Sequence, residues 1–154
     1  MKPEISFLFP VYNEAKIIEE IITEFFNEIG SKIPIEIVVA EDGSTDGTKA
    51  ILCELSKRIP MKIILGKDRK GYSQGLIDGL AKVDTDYVVF LDSDGQHIAS
   101  DFWRLYELRK DYDIVTGWRL KRADGLHRKI ISSVFKWLAK ILFKIPKYHD
   151  ITAP

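Results

Sequence analysis

The sequence predicts an α/β domain, built as a mainly parallel open sheet with helices on both faces. Two observations carry this. Short apolar runs at 5–9, 35–40, 61–65 and 87–91 alternate with stretches of helical period, the pattern of strand–helix–strand units joined by right-handed crossovers. Polar clusters recur where strands end, at 10–14, 41–46, 92–96 and Arg119. A parallel sheet brings such ends to one edge, where the ligands of open α/β sheets collect.

The elements follow in order. Residues 5–9, ISFLF, read as the first strand, ended by Pro10. Asn13 is a candidate cap for the next helix. Its apolar positions, Ile17, Ile18, Ile21, Ile22, Phe25, Phe26 and Ile29, repeat at the helical period, and Gly30 is the expected stop. Residues 35–40, IEIVVA, form the second strand and run into the turn cluster EDGSTDG. A helix over 48–58 and a strand over 61–65 follow. The helix expected over 71–83 carries Gly71, Gly75 and Gly79 on one face. Each glycine costs a helix about 1 kcal/mol against alanine. Three on one face point to a close approach, by the sheet or by a ligand. Then come the strand at 87–91, a helix over 101–110, a strand over 113–116, a polar basic loop and a last helix within 127–145.

At 154 residues the chain has the length of one domain with a substantial core. The hydrophobic fraction of 45% and charged fraction of 30% are those of a soluble globular protein. The net charge of zero hides an asymmetry. Residues 1–118 hold 14 Lys/Arg against 21 Asp/Glu, a balance of −7, while residues 119–148 hold 9 against 1, a balance of +8. A basic end on an acidic domain suits an anionic partner: phosphates, acidic lipid headgroups or nucleic acid. The single cysteine, Cys53, lies among Ile51, Leu52 and Leu55 and reads as a small core residue in a reducing compartment. The opening MKPE is no apolar leader, and no run of about 18 apolar residues is present to span a bilayer.

The stretch YVVFLDSDGQH at 87–97 carries the sharpest chemical signal. Asp92 and Asp94 follow directly on a buried-type strand, where both can face one spot. Hard oxygen donors of this kind suit Mg²⁺ or Mn²⁺, which usually bind together with a phosphate. An isolated D-S-D-G is also ordinary turn chemistry. Four polar clusters at one edge, mixing carboxylates with an arginine, exceed what turns alone explain. The chain has neither a G-x-x-x-x-G-K-[ST] loop nor a G-x-G-x-x-G after its first strand, which argues against nucleotide sites of those two kinds. A calcium loop starting at Asp92 would need Gly and Glu where His97 and Trp103 stand. His97, His127 and His149 show no metal-ligand spacing.

The segment 128–147 reads as a basic amphipathic helix. Lys129, Lys136, Lys140, Lys144 and Lys147 fall within about 80° of one another, opposite an apolar arc of roughly 160° that includes Trp137. Such a helix either lies in a bilayer interface or covers the sheet with a solvated lysine edge.

In order and spacing, FPVYNE, VVAEDGSTDGT, GYSQGLIDGLA, VVFLDSDGQH and GWR resemble the family 2 glycosyltransferases, and the resemblance runs from about residue 4 to 150. Within that family, D-x-D-x-Q-H, HRKIIS and Asp150 look most like dolichyl-phosphate mannose synthase and other polyprenyl-phosphate glycosyltransferases. The resemblance implies a GT-A fold, with a Rossmann-like, mainly parallel sheet. It implies that Pro10, Tyr12 and Glu14 contact the base and ribose of a GDP- or UDP-sugar and that Asp42 binds the base. Lys70 and Gly71 would lie near the nucleotide. Asp92 and Asp94 would form the metal-binding motif for Mg²⁺ or Mn²⁺, with Asp94 the main ligand and Gln96 a further one. Arg119 and Arg128 would face the diphosphate or the acceptor phosphate. The implied reaction is inverting transfer of the sugar to a polyprenyl phosphate at the cytoplasmic membrane face, with residues 128–147 on the lipid surface and no nucleic acid involved. A saccharide or protein acceptor, or nucleotide-sugar binding without turnover, are the alternatives. Two departures stand out. Glu41-Asp42 replaces the family's Asp-Asp, and ITAP follows Asp150 where the family continues with S-G-F. One domain over 1–154, without the family's acceptor region, is therefore expected.

Overall fold

The central strand is β1 (Ile5–Val11), whose backbone is claimed from both sides. It pairs in parallel with β2 (Ile35–Glu41) over its whole length, from Ile5↔Ile35 to Val11↔Glu41. On its other side it pairs in parallel with β4 (Tyr87–Phe90), only from Ile5↔Tyr87 to Leu8↔Phe90. β3 (Lys62–Leu65) extends the sheet beyond β2, giving the order β3-β2-β1-β4. The computed structural model describes residues 2–117 and residues 131, 133–135, 137, 138 and 141. These divide into two compact units, Met1–Asp113 and Ile114–Pro154.

In the first unit, alternation along β1 sends side chains to two cores. Phe7, Phe9 and Val11 pack with α1 (Ile18–Phe25), a π-helical turn (Phe26–Gly30), α2 (Thr48–Leu55) and α4 (Phe102–Tyr106). Tilted ring pairs join Phe7 to Phe25 at 5.8 Å and to Phe102 at 5.1 Å. Leu8 faces the other way, with Val38 and Ala40, toward Leu76 of α3 (Tyr72–Leu80) and Val83. Burying each such side chain is worth about 1.5–3 kcal/mol. The expected helices on both faces are therefore present, and they follow from the turn-back between β3 and β4.

Several local expectations are corrected. Pro10 does not end β1. Its missing N–H is on the side facing β4, past the last rung of that ladder, so no bond is lost, and its carbonyl accepts from the buried Ser93 hydroxyl at 3.0 Å. Asn13 does not cap α1, which begins at Ile18. It sits at φ 56° and its side-chain oxygen accepts from the Thr45 N–H at 2.9 Å. Gly30 does not stop the helix cleanly, because the last turn widens to π geometry and Ser31 is still right-handed. Cys53 is exposed, since α2 turns Thr48, Leu52 and Leu55 inward. Residues 113–116 form no strand, for among the described residues they have no neighbour to pair with and Ile114 is 81% exposed. The helix over 101–110 is shorter, a 3₁₀ turn (Ala99–Asp101) leading into α4. In the second unit the described residues between 131 and 141 are helical, as expected. The rest of 128–147 lies outside the described residues.

The three aligned glycines separate into different roles. Gly71 precedes α3 and turns at φ 97°. A Cβ at Gly75 would meet nothing nearer than Pro10 Cβ at 3.9 Å, whereas one at Gly79 would lie 2.3 Å from Leu8 Cδ1. The approach at Gly79 is made by the sheet. Leu8 is fully buried and has no room to yield. Gly79→Ala is expected to lose roughly 1–3 kcal/mol to overpacking, outweighing the gain of about 1 kcal/mol in helix propensity. Gly75→Ala should keep that gain. Urea denaturation of the two variants checks the contrast, and equal stabilities would contradict it.

Candidate functional site

The strand order reverses between β1 and β4, the switch point where open α/β sheets hold ligands. The two strands part there, β1 continuing with β2 to Val11 while β4 releases the chain at Leu91, whose N–H donates to Leu8 O at 3.1 Å. The Ser93 hydroxyl closes the fork behind them. Asp92, its side chain 14% exposed, and the exposed Asp94 thus follow β4 on one side of this switch point, and the loop after β1, carrying Tyr12 and Glu14, lies on the other; the two flank the crevice that such a switch point opens. Gly95 pins the acidic loop. It turns at φ 74°, and a Cβ on it would lie 2.5 Å from Ile17 Cδ1.

The lip is stitched to the loop after β2. Asn13 N donates to Ser44 Oγ at 3.0 Å, Glu14 N to Thr48 Oγ1 at 3.0 Å and Ala15 N to Asp46 Oδ2 at 3.1 Å. Glu14 titrates above the ordinary carboxyl range, first because it is partly buried and then because Asp94 and Asp46 repel its charge. Negative charge from Asp94 and Asp46 thus bears on Glu14 at this edge of the sheet.

Asp42 is almost fully buried, and its carboxylate accepts from Lys70 N at 2.6 Å and Gly71 N at 2.8 Å. It fixes the entry to α3. Glu41 is also buried. Its carboxylate accepts from the Ser44 and Gly66 N–H groups, with Lys49 Nζ at 3.7 Å. The longer arm of Glu, in place of Asp, spans from β2 to the loop after β3. Backbone meets backbone here, for a Cβ on Gly43 would lie 2.5 Å from the Asp68 carbonyl carbon and one on Gly66 2.7 Å from Glu41 O. Beside this brace is a recess of about 150 Å³, lined by Asp42, Gly66, Lys67, Lys70, Gly75 and Asp78 among others. Lys70 Nζ bonds Asp78 Oδ2 at 2.8 Å, which raises the lysine's pKa and lowers the carboxyl's.

Pro10, Tyr12, Glu14, Asp42, Lys70, Gly71, Asp92 and Asp94 all fall along this edge. Gln96 is exposed on the acidic loop, its N–H donating to Asp94 Oδ1 at 3.0 Å. Arg119 and Arg128 lie outside the described residues. Asp42, expected to face a base, uses both carboxylate oxygens on backbone N–H groups. Two residues were missed by sequence reasoning. The Arg69 guanidinium lies 4.1 Å from the centre of the Tyr12 ring, a cation–π contact. The Tyr72 hydroxyl donates to Asp92 Oδ1 at 3.1 Å, and its pKa is pushed up to about 12 by burial and by the Asp92 charge, so it remains a donor at neutral pH. The available signal was position, since both flank the Lys70-Gly71 pair in sequence. His97 Nε2 lies 3.9 Å from Asp92 Oδ2.

With this geometry in place, comparison with known proteins defines the class. The sequence profile of Glycosyl transferase family 2 matches residues 6–152, and the chain belongs to that family. It is 31% identical over 157 aligned positions to the dolichol-phosphate mannosyltransferase of Pyrococcus furiosus, covering 98% of this chain and 44% of that protein. It is 30% identical to the undecaprenyl-phosphate 4-deoxy-4-formamido-L-arabinose transferase of Pectobacterium carotovorum, covering 88% of this chain and 43% of the relative. The chain thus spans less than half the length of these curated relatives. The mannosyltransferase PcManGT from Pyrobaculum calidifontis, solved with GDP-Man and Mn²⁺, superposes with a TM-score of 0.55 at 27% identity, over 61% of this chain and 28% of that one. The α/β sheet is that of a GT-A fold.

Two outcomes test the brace and the crevice. Asp42→Asn leaves one of the two backbone N–H groups without its acceptor. It should cost about 1–3 kcal/mol in urea denaturation and speed hydrogen exchange at the Lys70 and Gly71 amides. Glu14 has a raised pKa in the folded state, so its contribution to stability is present below the ordinary carboxyl range and lost as pH rises through the raised value. Glu14→Gln should therefore be the more stable protein at neutral pH, with the advantage vanishing near pH of about 4. An advantage that is the same at both pH values would show that the folded state does not raise Glu14 as described.

Proposed function

We propose that this chain is the donor-binding part of a metal-dependent, inverting glycosyltransferase that moves a sugar from a nucleoside-diphosphate sugar to a polyprenyl phosphate. One observation carries the proposal. The Asp92–Asp94 pair follows β4 at the switch point in a chain of family 2, and the Tyr72 hydroxyl ties Asp92 to the start of α3, whose entry Asp42 braces. That two curated relatives bear polyprenyl-phosphate transferase names supports the acceptor class.

The donor set fits a divalent ion of the Mg²⁺ or Mn²⁺ kind. Among the described residues no three His, Cys, Asp or Glu side chains converge as a complete cage. Ions of this kind commonly take one or two carboxylates and complete their shell with water and substrate phosphate. Asp94, exposed at the mouth, and Asp92 would hold it, with Gln96 as a further ligand. Glu14 is raised first by burial and then by the charges of Asp94 and Asp46, and the second of these causes is of the sign a cation there would relieve. When bound, the ion supplies charge stabilisation to a departing diphosphate.

The chain's residues bind and orient. Pro10, Tyr12, Glu14 and the 66–71 loop form the walls for the nucleotide, with Lys70 and Gly71 held at the nucleotide side by Asp42. In the transfer, the bond from the anomeric carbon to the diphosphate oxygen breaks with its electrons leaving on the diphosphate. A phosphate oxygen of the lipid forms the new bond from the opposite face. An ionised phosphate acceptor has no proton to lose, so no general base is required. Arg119 and Arg128 are assigned to the two phosphates.

On this proposal the reaction takes place at a membrane surface, on its cytoplasmic face. The described residues of the last helix support this, because Ile131, Val134, Phe135, Trp137, Leu138 and Ile141 are 42–66% exposed and lysines stand between them in sequence. Apolar and basic residues on one helix suit an anionic interface. No helix among the described residues is long and apolar enough to cross a bilayer.

Calorimetric titration with GDP, UDP and dTDP, with and without Mn²⁺, tests the donor site. One nucleotide should bind with Mn²⁺ dependence, and Asp94→Asn should lose that dependence. Binding of none of them would remove the donor assignment. In liposome flotation with anionic vesicles, the combined change Lys136→Glu, Lys140→Glu and Lys144→Glu should abolish association, each lysine being worth about 1 kcal/mol near such a surface. Flotation unaffected by these changes would count against the membrane assignment.

A further inference from the structure

The hydroxyl of Tyr72 donates to Asp92 Oδ1 at 3.1 Å, linking the start of α3 to the end of β4 across the crevice. We infer that Tyr72 is a positioning residue for Asp92, presetting the carboxylate that faces the ion and the diphosphate. The assignment rests on Asp92 and Asp94 being the ion-binding pair.

Tyr72 is half exposed, so its ring contributes only part of its area to packing. A core role is therefore a poor account of it, and its hydroxyl is committed to a carboxylate from a different element. Its own position is fixed from behind. Asp42 holds the N–H groups of Lys70 and Gly71, and Gly71 turns the chain at φ 97° directly into Tyr72. A continuous path thus runs from β2 through Asp42, the Lys70-Gly71 backbone and Tyr72 to Asp92. Its members belong to one compact unit, and its last bond restricts rotation of the Asp92 carboxylate.

The chemistry of the donor matters. A phenol O–H orients a carboxylate without adding a positive charge beside it. A lysine or arginine in the same place would hold the carboxylate and compete with the ion. Partners that orient ligands in this way typically change metal affinity by about 10–100-fold when removed.

The test uses the full chain and five proteins: unaltered, Tyr72→Phe, Asp94→Asn, Asp92→Asn, and Tyr72→Phe placed in the Asp92→Asn background. GDP and UDP are titrated calorimetrically with and without Mn²⁺, and Mn²⁺ binding alone is followed by electron paramagnetic resonance. Tyr72→Phe should leave nucleotide affinity without metal unchanged and reduce the gain given by Mn²⁺ by about tenfold. In the Asp92→Asn background it should have no further effect. Asp94-dependent binding with the same Mn²⁺ gain in Tyr72→Phe would overturn the positioning role alone. Equal losses with and without Mn²⁺ would overturn it too, because they mark a purely structural residue. If the unaltered protein and Asp94→Asn behave alike, the ion-binding pair falls and this assignment falls with it.

Discussion

The structure depends on the fork at Pro10. A parallel ladder needs every backbone donor answered, and β1 has neighbours on both sides only as far as Leu8. Beyond that point β2 stays with β1 and β4 departs. The residue at the parting lacks an N–H, so the departure strands no donor. Its carbonyl is taken by Ser93, the middle residue of the acidic loop. The same bond that closes the sheet therefore anchors the backbone between Asp92 and Asp94.

The second constraint is the contact between the loops after β2 and β3. Two carboxylates, Glu41 and Asp42, are buried at the end of β2 and satisfied largely by backbone N–H groups. Burying a carboxylate is costly unless such bonds compensate, and here they also fix where the chain enters α3. Glycines at 43 and 66 permit the approach, since a Cβ at either would run into backbone. The wall of the proposed nucleotide site is thus rigid for a reason of covalent geometry, and the rigidity extends through Gly71 to Tyr72.

Electrostatics complete the arrangement. Glu14 titrates high first because it is partly buried and then because the charges of Asp94 and Asp46, brought in from two other loops, bear on it.

The sequence by itself determined the layer architecture. Apolar runs of strand length alternate with periodic helices, and period and length are local properties, visible in Ile17 through Ile29 or in IEIVVA without knowledge of the fold. It also placed the acidic clusters at strand ends, because chain order alone puts them there. It did not determine which strand runs through its proline, as Pro10 is tolerated only where the neighbouring ladder has ended. Nor did it show that Asn13 would tie down Thr45 instead of capping a helix, that Gly79 rather than Gly71 meets the sheet, or that Cys53 faces outward. A strand at 113–116 looked equally good locally, but a strand exists only by pairing, and pairing is decided elsewhere in the chain. The Tyr72–Asp92 bond belongs to the same class. Residues 20 apart in sequence meet because the crossover from β3 to β4 carries α3 over β2 and β1, and tertiary structure alone makes that juxtaposition.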